Sequence, residues 1–155
     1  MSEQTTKHAT FELERVYEGV PAERVWAAWA NAEEKRRWWG DGNLTASNHD
    51  LDFSVGGLEH VTTNTPDGTT YTLEARYCDI VEGERFVYTY EMSCNGARMS
   101  VSVATVVLAP AGDGTRLTLT EQGVFLDGVD KPADREHGTR AILESLAAVL
   151  AQVEA

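Results

Sequence analysis

Glu121 is the position in this sequence where a carboxyl group is best placed for chemistry. Residues 115–122 alternate as a β-strand does, so Glu121 shares a face with Leu117 and Leu119. Desolvation on an apolar face raises the pKa of a carboxyl group, which can then act as a general acid or base near neutrality. The alternative is that Glu121 lies at the end of its strand, either in water or paired with an arginine.

His137 is the second titratable candidate, because it falls in the first turns of a predicted helix that could face the same apolar surface. A histidine titrates near neutral pH and could act together with Glu121. Exposure to solvent, or a role in capping the helix, is the alternative for this residue.

Other reactive patterns are missing from the sequence. It contains no HExxH pattern, no His/Cys cluster and no spacing typical of two histidines and a carboxylate, so no metal is predicted. It also lacks the GxSxG pattern, a nucleophilic Cys–His signature and a glycine-rich phosphate loop. Covalent catalysis and nucleotide hydrolysis are therefore disfavoured, and no cofactor is predicted.

Aromatic side chains form a second candidate feature. Residues 85–92 alternate with Phe86, Tyr88, Tyr90 and Met92 on one side. Rings with a polar tip suit a cavity that is apolar and yet orients a ligand, although a plain core is the alternative and fits Phe86 best.

Further candidates come from two other segments. Trp38 and Trp39 are predicted to close one end of the cavity, or one of them packs beneath the short helices. Tyr71 and Arg76 have opposite parity on a long strand, so at most one of them faces inward.

The elements that would position these residues follow from periodicity. Residues 10–17 alternate as a first strand, and Pro21 begins an amphipathic helix that Asn31 ends. Residues 33–39 predict a second short helix. About six antiparallel strands follow between residues 43 and 122, and residues 133–153 predict a long helix with an apolar stripe.

Composition and length set limits on the function. The 155 residues fit one domain, with residues 1–9 as a flexible tail and residues 10–155 as the folded unit. A formal charge of −12 disfavours binding to nucleic acid or to anionic membrane surfaces. A polar start and the lack of long apolar runs predict a cytoplasmic protein, and Cys78 and Cys94 are predicted to be free thiols.

The sequence also resembles a known family, the homologues of the heat-shock-protein-90 ATPase activator within the SRPBCC (START-like) superfamily. The similarity runs from Phe11 to about Leu150 in the family's order. The similar motifs are V-P-A-E-R-V-W-A-A-W (20–29), R-W-W-G (37–40), D-F-S-V-G-G (52–57), P-D-G (66–68), E-R-F-V-Y-T-Y (84–90), D-G-T-R-L-T-L-T-E (113–121) and E-H-G (136–138).

The resemblance implies an α+β helix-grip fold, in which a curved antiparallel sheet of about seven strands surrounds a long C-terminal helix. Two short helices follow the first strand, and an apolar cavity lies between sheet and helix. Two positions depart from the family pattern. Asp41 stands where proline is frequent, and Thr139 stands where tryptophan is usual, which should enlarge or wet that part of the cavity.

Three functions are compatible with this pattern. The first is binding of a small hydrophobic or aromatic molecule, with Glu121 orienting a polar end; the wall residues would be Trp38, Trp39, Tyr71, Phe86, Tyr88, Tyr90, Met92, Leu119, Phe125 and Thr139.

The second function is that of a cofactor-independent cyclase, dehydratase or hydrolase with Glu121 as acid/base. A buried Glu121 within hydrogen-bond reach of His137 or a tyrosine would favour it. The third, weaker hypothesis is regulation of a chaperone ATPase. A homodimer is also considered, because edge strands need protection.

Overall fold

The computed structural model describes residues 4–39 and 46–152, which form a seven-stranded curved sheet and three helices. In chain order the elements are β1 (Thr6–Tyr17), α1 (Ala22–Ala30), α2 (Ala32–Arg36), β2 (Ala46–Leu51), β3 (Leu58–Asn64), β4 (Thr70–Val81), β5 (Arg85–Cys94), β6 (Ala97–Ala111), β7 (Gly114–Leu126) and α3 (Pro132–Leu150). The predicted helix-grip α+β fold is confirmed.

The sheet is antiparallel throughout, with the strand order β1-β7-β6-β5-β4-β3-β2. Strand β1 begins at Thr6, opposite Leu126 of β7, four residues before the predicted start. Residues 6–9 therefore belong to the sheet rather than to a tail. Their side chains are mostly polar and lack an alternating pattern, but the backbone bonds of a strand ladder do not require apolar side chains.

The two short helices are delimited by Pro21 and Asn31. Pro21 is extended and immediately precedes α1, where its missing N–H needs no partner. Asn31 ends α1, and its side-chain oxygen accepts a hydrogen bond from the Glu34 backbone N–H at 3.1 Å. This is an N-cap of α2, so the residue that stops one helix starts the next. Helix α2 ends at Arg36, earlier than the predicted Trp39.

Helix α3 covers the inner face of the sheet with its apolar stripe. Leu143, Leu146, Val149 and Leu150 are buried, while Val153, the last predicted member of the stripe, lies outside the described residues. Among the described residues, no helix is both long enough and apolar enough to span a membrane.

Strand β6 could not be oriented from its sequence, because both of its faces are nearly apolar. The structure buries Ser100, Ser102, Ala104, Val106 and Leu108, and these even-numbered residues face inward. The ladders to β5 and β7 determine this choice, since a shift by one residue would exchange the two faces.

A buried ion pair attaches α2 to the sheet. The Lys35 Nζ atom lies 2.8 Å from Glu59 Oε1 on β3 and donates a hydrogen bond to the Tyr77 hydroxyl at 3.1 Å. The other carboxylate oxygen of Glu59 lies 2.7 Å from His49 Nε2 on β2. The Lys35 ammonium is also 4.3 Å from the ring centroid of Trp39. The group therefore ties a helix, three strands and an indole together.

The members of the pair stabilise each other's charge against the effect of burial. Burial by itself raises the pKa of Glu59, but the charge of Lys35 and hydrogen bonds from His49, Lys35 and Tyr77 lower it to about 2. Burial lowers the pKa of Lys35, and the Glu59 carboxylate offsets only part of that effect. Each of the two groups is therefore stabilised in its buried, charged form by its partner.

Replacing Lys35 by methionine is expected to lower the free energy of unfolding by about 3–5 kcal/mol, because the buried Glu59 carboxyl group would lose the lysine that compensates its charge. The double variant Lys35→Met/Glu59→Gln should recover at least half of this loss, since buried pairs are often replaced as a unit at little cost. Urea unfolding at pH 7 measures both changes.

The control is Lys7→Met at an exposed position of β1, which should change stability by less than about 0.5 kcal/mol. If the double variant is as unstable as Lys35→Met or less stable, the loss in Lys35→Met does not come from an unpaired Glu59 charge.

Candidate functional site

A cavity of about 370 Å³ lies between the inner face of the sheet and the first half of α3. Asp134 and Gly138 of α3 belong to its wall and are exposed, so the cavity reaches solvent beside them. The wall is mainly apolar and aromatic. Its residues are Trp29, Trp39, Val61, Thr63, Tyr71, Thr72, Leu73, Tyr88, Tyr90, Met92, Met99, Leu119, Glu121, Asp134, Gly138, Thr139, Ile142 and Leu143.

The structure brings eight of the eleven predicted wall residues together around this cavity. They come from the segment after α2, from β4, β5 and β7, and from α3, which are far apart in the sequence. These residues are Trp39, Tyr71, Tyr88, Tyr90, Met92, Leu119, Glu121 and Thr139.

The other three predicted residues are buried outside the wall. Trp38 packs beneath the short helices, where its indole N–H donates to the Ala28 carbonyl oxygen at 3.0 Å. Phe86 is enclosed by aromatic rings, including Trp26 at 5.7 Å between centroids. Phe125 lies under the Arg135 guanidinium, 5.1 Å from its ring centroid. Each of these side chains is held by another contact that periodicity alone did not reveal.

Glu121 belongs to a buried polar network at one side of the cavity. The Tyr90 hydroxyl donates to Glu121 Oε2 at 2.8 Å, and Arg135 NH1 lies 3.7 Å from the same oxygen. Arg135 also donates to the Tyr90 hydroxyl at 3.0 Å, to Ser100 Oγ at 2.8 Å and to Asp130 Oδ2 at 2.9 Å. Glu121 is therefore buried on the inner face, as its alternation with Leu117 and Leu119 predicts. It is also paired with an arginine, which was part of the alternative interpretation.

The electrostatics of Glu121 are a balance of opposing effects. Burial raises its pKa, whereas the hydrogen bond from Tyr90 and the charge of Arg135 act to lower it, and the net pKa is raised. Burial and the nearby Glu121 charge raise the pKa of Tyr90, so its hydroxyl remains a hydrogen-bond donor. Such a carboxyl group can accept a hydrogen bond from a ligand or exchange a proton with it.

His137 and Arg76 do not join this network. His137 is exposed on α3 and is not part of the wall, although it follows Arg135 by two residues. Two residues along a helix correspond to about 200°, so the two side chains point away from each other. Arg76 is exposed, and Tyr71 is the member of that pair that faces the cavity. Within residues 4–39 and 46–152, no group of three or more metal-ligating side chains occurs.

Arg135 and Lys35 are functional residues that the sequence motifs did not predict, although a spacing signal was present for both. Arg135 precedes Ile142 by seven residues and Leu146 by eleven, which places it on the apolar stripe of α3. Lys35 precedes Trp39 by four residues on the same helical face. Each basic side chain stands where an amphipathic pattern predicts an apolar one, and each is buried against a carboxylate.

Trp29 is a further wall residue that the sequence analysis did not assign. Its side chain is fully buried, and its indole Nε1 has no hydrogen-bond partner among the described residues. A buried donor without a partner costs about 1–3 kcal/mol.

A curved antiparallel sheet closed by one long helix over an apolar cavity defines the helix-grip class. The family described as "Activator of Hsp90 ATPase homolog 1-like protein" matches residues 19–151. The chain belongs to this family, as its motifs predicted. Among curated proteins, no similar sequence was found.

Solved structures agree with this assignment. A protein from Rhizobium leguminosarum is 37% identical, with a TM-score of 0.91 over 96% of this chain and 97% of that one. A protein from Rhizobium loti is 44% identical, with a TM-score of 0.86 over 94% and 99%. A protein from Chromobacterium violaceum is 25% identical, with a TM-score of 0.81 over 93% and 98%. The fold and the family are thus shared over nearly the whole chain.

Replacing Arg135 by methionine is expected to raise the pKa of Glu121 further, because the charge that opposes the effect of burial is removed. A titration of the Glu121 carboxyl carbon by ¹³C NMR measures this pKa. Arg135→Lys, which keeps the charge, should return the pKa toward the wild-type value.

Arg140→Met removes an exposed arginine from the same helix and serves as the matched control. A Glu121 pKa that is unchanged or lower in Arg135→Met would contradict the assignment of Arg135 as the group that stabilises the carboxylate.

Proposed function

We propose that this protein binds a small apolar or aromatic molecule in the cavity between its sheet and α3. The observation that carries the proposal is the mainly apolar and aromatic wall of a cavity that also contains the buried carboxyl group of Glu121. The side chains around an empty apolar cavity lack packing contacts on one side, and a bound ligand would restore them. The family supports a ligand-binding type of domain in general.

The size of the cavity limits the ligand. A volume of about 370 Å³ is at the lower end of the range of roughly 300–1,000 Å³ for small-molecule sites. At roughly 30 Å³ per water-sized group, it accommodates about a dozen non-hydrogen atoms. A two-ring aromatic compound or a short aliphatic chain is therefore a better fit than a membrane lipid with two long chains.

The Glu121 carboxyl group would orient such a ligand. It accepts hydrogen bonds, so a polar group of the ligand that donates one would lie toward Glu121. Thr139 leaves space beside α3, because its hydroxyl turns back to the Arg135 carbonyl oxygen at 2.8 Å.

Acid–base catalysis is the second candidate, and the 2.8 Å contact between the Tyr90 hydroxyl and Glu121 Oε2 favours it. A buried carboxyl group with a raised pKa beside a phenol is a suitable proton-transfer site. Liquid chromatography with mass spectrometry of the ligand recovered from purified protein, before and after incubation, distinguishes the two candidates. An unchanged mass and retention time support binding, and a conversion that Glu121→Gln abolishes supports catalysis.

Regulation of a chaperone ATPase rests on the family description alone. Formation of a homodimer, a cytoplasmic location and the lack of nucleic-acid partners stay predictions from the sequence.

Filling the cavity is expected to weaken ligand binding. Thr139→Trp introduces an indole into the wall and should lower the affinity for naphthalen-2-ylmethanol at least tenfold, as measured by isothermal titration calorimetry. Ala148→Trp adds the same side chain to an exposed position of α3 and should leave the affinity unchanged. Equal affinities in the two variants would place binding outside the cavity.

A further inference from the structure

The charged residues of the cavity wall are all acidic. Glu121 and Asp134 line the cavity, and no lysine, arginine or histidine is found in the part of the wall that the structure describes. A ligand carboxylate or phosphate would therefore meet no cation there. It would also have to lose its hydration beside two carboxyl groups, which is unfavourable.

The two nearby basic side chains are already engaged elsewhere. Arg135 contacts Tyr90, Ser100 and Asp130 in addition to Glu121, and Lys35 contacts Glu59 and Tyr77 behind the aromatic wall. The polar side of the cavity therefore has more acidic than basic groups. The three carboxyl groups are those of Glu121, Asp130 and Asp134, and the one guanidinium group is that of Arg135.

The neutral part of the wall also favours positive charge. Five aromatic side chains contribute to it, namely Trp29, Trp39, Tyr71, Tyr88 and Tyr90. The faces of such rings attract cations, with energies of roughly 0.5–2 kcal/mol that increase when the cation is desolvated. Lys35 illustrates the effect within the protein itself, at 4.3 Å from the ring centroid of Trp39.

We propose that the cavity selects compact apolar or aromatic molecules that carry a protonated amine, and that it discriminates against carboxylates of the same shape. The ammonium group would lie against the Glu121 carboxylate and the tyrosine rings, with the apolar body between the sheet and α3. This inference rests on the proposed binding function and deepens it by naming the class of ligand.

Glu121 has the capacity to take an ammonium group in addition to its present partners. A carboxylate offers about four lone-pair sites, and the contacts described above do not use all of them. Tyr90 and Arg135 hold the carboxylate in place, so the ligand does not have to order it on binding. Preorganised groups of this kind strengthen binding because less entropy is lost.

The test uses four probes with one naphthalene body and different substituents: naphthalen-2-ylmethylammonium, naphthalen-2-ylmethanol, 2-naphthoate and 2-methylnaphthalene. Isothermal titration calorimetry at pH 7 gives their dissociation constants. We expect the ammonium to bind at least tenfold more tightly than the carboxylate, with the alcohol between them. The ratio should persist in 0.5 M salt, because the field of the acidic surface is screened there and a buried contact is not.

Glu121→Gln keeps the shape of the side chain and removes its charge. It should reduce the ammonium-to-carboxylate preference to less than threefold while the alcohol continues to bind. Glu136→Gln removes the same charge from α3 outside the cavity wall and should keep the preference. Asp134→Asn, at the exposed mouth, should reduce the preference partly without disturbing the buried network, so the test holds even if Glu121→Gln folds poorly.

The outcomes separate this inference from the proposed function. If 2-methylnaphthalene or the alcohol binds but the carboxylate binds as tightly as the ammonium, the inference is overturned and the binding function stands. If Glu121→Gln and Asp134→Asn both keep the full preference, the inference is overturned as well. If none of the four probes binds, the proposed function fails and the inference fails with it.

Discussion

The inner face of the sheet carries two buried carboxyl groups, and each requires a basic partner from a helix. Glu59 on β3 is paired with Lys35 of α2, and Glu121 on β7 is paired with Arg135 of α3. A charge cannot be buried without a partner except at a cost of several kcal/mol, so these pairs restrict where the helices can lie. The remaining architecture depends on this restriction, because the helices form the cover of the sheet.

The cavity follows from the way that cover is made. A sheet of long strands offers more inner surface than one 19-residue helix can cover, and the short helices close only the region around Trp29 and Trp39. Between α3 and the short helices, the side chains of the cavity wall face one another across the space without being in contact. The two ion pairs hold α2 and α3 in place and thereby prevent the helices from collapsing into the space.

Differences between this chain and its family concern the contents of the cavity more than the fold. The fold is shared with proteins as distant as 25% identity. Thr139, where the family resemblance implies tryptophan, lies in the wall and leaves room beside Arg135. The size and polarity of the cavity are therefore properties of this particular set of wall residues, while the sheet and helix arrangement belongs to the family.

The sequence by itself determined the elements, their order and the family, because these depend on local periodicity and on motifs read along the chain. It also placed Glu121 on the inner face by parity with Leu119. Only the tertiary structure decided which residues meet Glu121. Tyr90 is 31 residues away from it and Arg135 is 14, and no local pattern encodes a distance between separate elements. The same limit explains why the facing of β6 and the partner of Lys35 came only from the strand register and the packing of helices on the sheet.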